Sequence, residues 1–360
     1  MTMLWINLSL VSVFSIYARY LAKPATVFAN SPVSVRPNRL FAFFALMTLV
    51  LVSGLRRNIG DTYVYRSIYD ENIFTWEYIS NEKDIGFGVL QMFLQNFSYD
   101  AQIMIFTTAL ITNALIVMVL YKYARLFELS LYVYIASGLF LVSMNGIRQF
   151  LAAAVIFAAT KYIFDGSWKK FIIVVLIAST FHQSALILIP IYFIIRREAW
   201  TKTTFRILAL AVVIVIGYNQ FSELLFSAIS DSQYGNYANF AEGGANVLRI
   251  AVNAAPLALA FIGRERLREL FPKSDYIVNL CLLNLVFIII ASQNWIFARF
   301  NIYFGLYQLI LIAWVVKVFK EKDQKFIYFA IVACYLFYFY QEHVLSLNII
   351  YRSEFLPFSE

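Results

Sequence analysis

The chain has 360 residues, 61% of them hydrophobic and 14% charged, whereas soluble domains run near half apolar and a quarter charged. That excludes a water-soluble globule and points to an integral membrane protein. The net charge of +8 would suit nucleic acid, but most Lys and Arg fall in short loops between apolar runs, where membrane orientation accounts for them. Cys281 and Cys334 both lie inside apolar runs, so neither a disulfide framework nor a zinc site is expected. The aromatic content of 18% fits a lipid-facing surface with ring belts at both interfaces, and equally suits stacking on carbohydrate.

A spanning helix needs roughly 20 apolar residues, because the hydrocarbon is ~30 Å thick. The sequence then predicts about ten spans, near 3–21, 40–55, 101–121, 127–144, 147–164, 205–220, 246–263, 276–292, 301–316 and 326–341. The first has no basic flank before it and no cleavage signal immediately after it, and reads as a retained span. The whole chain, 1–360, is expected to form one transmembrane domain without an internal repeat. Between the second and third spans a long loop, 56–100, carries an amphipathic piece, Phe87 to Phe97, expected to lie on the outer surface. A second outer loop is expected at 221–245.

The stretch 171–195 is ambiguous, since basic residues flank it on both sides. As a single span it would put the basic loops 196–206, 264–273 and 317–325 outside, leaving only Arg249, Arg299 and Arg352 inside. The positive-inside rule favours a broken or re-entrant hairpin instead, with its break at His182-Gln183-Ser184 and Pro190 in the returning limb. Limbs of about eleven residues reach ~16 Å, which sets the tip near mid-membrane or deeper. Broken backbone at that depth needs protein or a water-filled cavity around it. Both termini are then expected outside, with the basic loops cytoplasmic.

Removing the charges that orientation explains leaves Arg56, Arg57, Asp61, Asp84, Arg148, His182 and Arg299 at outer helix ends or within the membrane, where an ionisable group is costly. Arg56 and Arg57 end the second span against the orientation rule; they suit an anionic ligand, or snorkel to head groups or pair with Asp61. In Asn145-Gly146-Ile147-Arg148-Gln149, Asn145 reads as the N-cap of the following helix, so that its free N–H groups and Arg148 would face one anion together. The alternative there is a capped turn whose arginine holds a lipid phosphate. His182, at the hairpin break, reads as a general base or phosphate donor, against the commoner role of a satisfied buried histidine. His343 lies in the outer tail without such a context. Arg299 opens the span at 301 beside Asn301, and Asp84 is either a site carboxylate or the cap of the surface helix. Four outward arginines with a histidine and one or two carboxylates describe a pyrophosphate pocket, because guanidinium forks match phosphate oxygens. With no Asp-x-Asp pair or Gly-rich phosphate loop, no metal and no cofactor are expected.

At Gly54-Leu55-Arg56-Arg57-Asn58-Ile59-Gly60-Asp61-Thr62, Asp84-Ile85-Gly86-Phe87, Asn145-Gly146-Ile147-Arg148-Gln149, Phe181-His182-Gln183-Ser184 and Ala298-Arg299-Phe300-Asn301-Ile302-Tyr303-Phe304 the chain resembles the EpsG family of bacterial exopolysaccharide proteins, related in type to Wzy-like polymerases. The resemblance runs over nearly the whole chain. One departure is that Gly60 and Asp61 are adjacent, where many members place a residue between them. The resemblance implies an all-α bundle of the GT-C/Wzy-like kind in the bacterial plasma membrane, its active site facing outside. It also implies a role in biofilm-matrix exopolysaccharide, polymerising repeat units carried on undecaprenyl pyrophosphate, alongside other synthesis proteins. On that reading Arg56, Arg57, Arg148 and Arg299 hold the pyrophosphate, His182 or Asp61 takes the proton, and Asp84, Asn145, Gln149 and Asn301 support them. A lipid-linked oligosaccharide flippase and a non-catalytic assembly subunit are the alternatives, with an outward-facing acyltransferase a third.

The charge count predicts that loops 196–206 and 264–273 are cytoplasmic. Single cysteines placed in each, in a chain lacking Cys281 and Cys334, should resist an impermeant thiol reagent in intact cells; labelling of both would refute the hairpin.

Overall fold

The computed structural model describes residues 1–24, 35–218, 220, 222 and 244–357; most of the expected second outer loop lies outside the described residues. The described residues are mainly helical, with one two-stranded antiparallel ladder, β1 (Lys23–Pro24) on β2 (Val35–Arg36), between the first two helices. α1 (Thr2–Tyr20) turns back into α2 (Arg39–Gly54), whose first N–H groups, on Leu40 and Phe41, are capped by Asn38 Oδ1. After the segment 56–100 follow α6 (Gln102–Tyr123), α7 (Phe127–Ala136), α8 (Leu139–Asn145), α9 (Ile147–Ala158) and α10 (Thr160–Asp165). Then come α11 (Trp168–Phe181), a 3-10 turn (Gln183–Ile187), α12 (Leu188–Ile195) and α13 (Lys202–Ile216). The last part comprises α14 (Val247–Ile262), α15 (Arg264–Leu270), α16 (Ser274–Ala291), α17 (Asn301–Val315) and α18 (Glu321–Phe339), which continues into a π-helical turn (Tyr340–Ser346).

α17 is the axis of the bundle, buried at every position from Ile302 to Val315. Lipid tails are as apolar as the side chains, so close packing and hydrogen bonds hold such helices together. Trp314 shows both: its ring stacks on Phe271 at 4.7 Å, and its indole N–H donates to the Tyr123 carbonyl at 2.8 Å.

Among the described residues, four helices are long and apolar enough to cross a membrane, or up to six if each bent pair counts as one span. That is fewer than the ten expected, because breaks cut several apolar runs into shorter helices. α7 and α8 meet at 55° at Gly138 (φ +85°), where a Cβ would collide with the His343 ring. α14 and α15 meet at 81° at Gly263, and α9 stops at Ala159.

At His182 the chain reverses. Phe171 and Tyr192 face each other across the two limbs with ring centroids 4.9 Å apart, and the Arg196 guanidinium lies over Gly166, so residues 166 and 196 share one end. α11 has 14 residues, or ~21 Å, longer than the limbs expected from sequence, and its tip reaches the level of Asp84 and the α8–α9 turn.

The segment 56–100 is itself helical: α3 (Thr62–Glu71), α4 (Trp76–Ser80) and α5 (Ile85–Gln95). α5 is amphipathic in the opposite sense from a helix with its polar face in water. Gln91 and Gln95 are buried, while Val89, Phe93 and Phe97 are exposed. The cause is local, since the Gln95 amide satisfies the Phe74 N–H and the Asn72 carbonyl where the chain turns between α3 and α4.

One side chain ties this end together. Arg56 is 1% exposed and donates to Thr62 Oγ1 (2.9 Å), the Met144 carbonyl (2.8 Å) and the Ser53 carbonyl, joining α2, α3 and α8. With its donors on protein oxygens it does not reach a pyrophosphate, a correction to the role expected from sequence. Replacing it by Ala strands the Ser53 carbonyl in a dry interior and leaves the Met144 carbonyl only the Thr62 hydroxyl at 3.2 Å, at a cost of about 1–3 kcal/mol. Arg56→Ala should therefore lower the purified protein's melting temperature and its yield, rather than weaken ligand binding in a stable protein.

Candidate functional site

The backbone around Gly60 is unusual. Ile59 has φ +92° and Gly60 φ +51°; for a β-branched residue the first is strained, and strain of this kind persists only when surrounding contacts hold it. The clamp is Asn145, whose Oδ1 accepts the Asp61 N–H at 2.8 Å and packs so closely on Gly60 that a Cβ there would collide. Asn145 is thus the last residue of α8 and not the cap of α9; Gly146 occupies the cap position and offers no side chain. The expected capping role is corrected, because the amide is already engaged with the 59–61 loop.

Beside that turn, Arg148 lies in the first turn of α9. Its Nη1 lies 2.9 Å from Asp84 Oδ2, and its guanidinium sits over the Tyr65 ring at 5.6 Å. Asp84, 5% exposed, also accepts the Gln183 N–H through Oδ1 at 3.3 Å. It stands at the cap position of α5 without a side-chain cap bond, and instead links the hairpin tip to α9. Burial pushes the Asp84 carboxyl up, against the opposing pull of Arg148 and the Gln183 N–H.

His182 is in the turn itself, with Nδ1 3.8 Å from Asp84 Oδ1. That is too long for a hydrogen bond, and Nδ1 has no partner among the described residues. Burial, then the Arg148 and Arg299 charges, hold the imidazole down at about 4, so at neutral pH it is an uncharged base. A carboxylate facing an uncharged imidazole will stabilise it once it takes up a proton.

The fourth wall comes from the turn before α17. Gln149 Nε2 donates to the Arg299 carbonyl at 3.0 Å, and Ser184 Oγ meets Tyr303 Oη at 2.8 Å, so α9, the hairpin tip and α17 are held in register. The Arg299 guanidinium lies 5.0 Å from the Trp295 ring centre. Together these walls surround a cavity of about 490 Å³ lined by Asp61, Tyr65, Asn145, Arg148, Gln149, His182, Arg249 and Arg299.

Of the arginines expected to act as one group, Arg148 and Arg299 meet here and Arg56 and Arg57 do not. Arg57 forms an ion pair with Glu354, and its N–H donates to the Arg352 carbonyl at 2.8 Å, so it fastens the C-terminal segment. Asn301 lines a second cavity that adjoins the first. Sequence reasoning missed Arg249, which lines both cavities and was counted only as an orientation charge. It pairs with buried Glu342, which also accepts from Asn246 Nδ2 at 2.8 Å. The signal was present in Asn246-Val247-Leu248-Arg249, where Asn246 caps the Arg249 N–H at 2.8 Å and so sets the arginine in the first turn of α14. His343, read as part of a tail without context, is buried at 5% exposure. Among the described residues no three His, Cys, Asp or Glu side chains gather as a metal centre would require.

Comparison with known proteins gives one positive result: the EpsG family model matches residues 39–359, most of the chain. No curated protein and no solved structure matches it. Its apolar helices and that match make this a membrane protein of exopolysaccharide biosynthesis, and the chain belongs to the EpsG family.

Proposed function

We propose that the protein is a polysaccharide polymerase that joins oligosaccharide repeat units carried on undecaprenyl pyrophosphate at the outer face of the bacterial plasma membrane, supplying biofilm-matrix exopolysaccharide. The observation that carries this reading is the convergence of Arg148, Arg299 and His182 on one cavity at the end of the bundle remote from the basic loops, with Asp84 paired to Arg148 and facing His182. An acceptor hydroxyl attacks the anomeric carbon of the lipid-linked chain. The bond from that carbon to the lipid pyrophosphate breaks, and the pyrophosphate leaves with the electron pair. Arg148 and Arg299 stabilise the charge growing on it, guanidinium forks supplying what a divalent ion supplies in other transferases. His182 accepts the hydroxyl proton, and Asp84 faces the imidazolium that forms. Asp61, on the cavity wall, is placed to orient the acceptor.

The test is turnover in proteoliposomes loaded with synthetic lipid-pyrophosphate repeat units, reading longer chains and released lipid pyrophosphate. His182→Ala should cut turnover roughly 100-fold or more while lipid-substrate binding survives. Arg299→Ala and Arg148→Lys should lose binding as well, the latter because Lys keeps the charge without the fork. Arg57→Ala, at the C-terminal clasp, should stay near wild type. Normal polymer from the His182 and both arginine variants at normal protein levels would leave a non-catalytic assembly subunit, and lipid flipping without turnover would leave a flippase.

The pH dependence has a definite sign. The active imidazole is the neutral form, so turnover should be insensitive to His182 through the neutral range and fall by half as pH drops to about 4. A half-maximal point near the ordinary histidine value of about 6.5 would contradict the buried-base assignment.

A further inference from the structure

The second cavity, of about 680 Å³, shares Val142, Asn145, Arg249, Ala298 and Ile302 with the first, so the two are lobes of one chamber. Their chemistry differs. Arg148, His182 and Arg299 line only the smaller lobe. The larger carries neutral hydrogen-bonding groups, among them Asn253, Asn301, Gln308, Tyr335, Tyr338 and His343. Arg249, where the lobes meet, already has its charge matched by Glu342. A second anion would find no free cationic group among these residues.

His343 marks what the larger lobe takes. The residue is 5% exposed, and neither ring nitrogen has a hydrogen-bond partner among the described residues. Its ring is fixed by edge contacts with Tyr338 and Phe339, at 5.8 and 5.4 Å, and by Gly138, whose missing Cβ leaves room for it. The Asn253 and Gln308 amides already bond within the protein, but a hydrocarbon chain here would leave both His343 nitrogens unsatisfied, which is costly. A polyhydroxylated neutral ligand satisfies them, since a sugar hydroxyl both donates and accepts.

Resting on the polymerase reading, we infer that the larger lobe is the acceptor subsite, in which His343 hydrogen-bonds a neutral saccharide and aims its free end past Val142 toward the cationic lobe. The smaller lobe then holds the lipid-pyrophosphate donor and receives the acceptor's reacting hydroxyl beside His182 and Asp61, and specificity for the rest of the sugar resides around His343.

The probes are inorganic pyrophosphate and, separately, short lipid-free oligosaccharides released by partial hydrolysis of the cell's own exopolysaccharide, with binding measured by calorimetry on the purified full chain. The expected result is that His343→Phe, which keeps a planar ring but removes both nitrogens, weakens oligosaccharide binding about tenfold or more and leaves pyrophosphate binding unchanged. His343→Gln should recover part of the loss. Arg299→Ala should do the reverse, losing pyrophosphate and keeping oligosaccharide. A second route avoids the buried ring: Val142, 37% exposed at the junction, replaced by Trp should abolish transfer while each probe still binds separately. Oligosaccharide binding unaltered in folded His343→Phe, or lost equally in Arg299→Ala, would overturn the subsite. Saccharide binding that depends on His343 in a protein that never lengthens chains would keep the subsite and defeat the polymerase reading.

Discussion

A backbone that breaks inside an apolar bundle exposes amide and carbonyl groups that lipid cannot satisfy, and each must find a partner within the protein. The interior breaks at 53–62, 144–146, 182–184 and 292–300 are answered by long polar side chains from neighbouring segments. Arg56 takes the Met144 and Ser53 carbonyls, Asn145 takes the Asp61 N–H, Asp84 takes the Gln183 N–H, and Gln149 takes the Arg299 carbonyl. Because most of these partners lie far away in the chain, satisfying them draws the breaks to one end of the molecule. The cavity is what remains between them.

The same requirement sorts the charged groups. A guanidinium whose donors are spent on carbonyls, as in Arg56, is structural and cannot also hold a ligand. Arg148 has an oxygen partner in Asp84, yet its side chain stays 41% exposed and still faces the chamber. Asp84 is the pivot, since it touches Arg148, the hairpin backbone and the neighbourhood of His182 at once. Its carboxylate holds the hairpin tip in place and offsets part of the positive charge, while burial and the Arg148 and Arg299 charges keep His182 an uncharged base. At the junction of the two lobes Glu342 performs a similar neutralisation for Arg249.

Several features of the site were legible before the fold was known. Arg148, Arg299, His182 and Asp84 stood out because orientation or loop composition did not account for them, and in the structure the first three line one cavity while Asp84 pairs with Arg148. Arg56 stood out for the same reason and has a different role: a charge against the orientation rule shows that something holds it, without saying whether a ligand or a carbonyl does. Arg249 and His343 went the other way, because an arginine near a loop and a histidine in an apparent tail carry no local mark of burial. Asn145 was misassigned because Asn before Gly-Ile-Arg suits a helix cap, whereas its actual partner, the Asp61 N–H, is 84 residues away.

Composition and apolar run length, which depend only on local sequence, determined that this is a helical membrane protein, and charge asymmetry marked which loops belong together. Family membership was equally a property of the one-dimensional motifs. How many helices span unbroken, which arginines are spent inside the protein, and the division of the chamber into a cationic and a neutral lobe were decided by tertiary structure alone. Each depends on which distant carbonyl or amide a side chain meets across the bundle, and residues separated by up to roughly 300 positions, such as Arg57 and Glu354, become partners only when the helices pack.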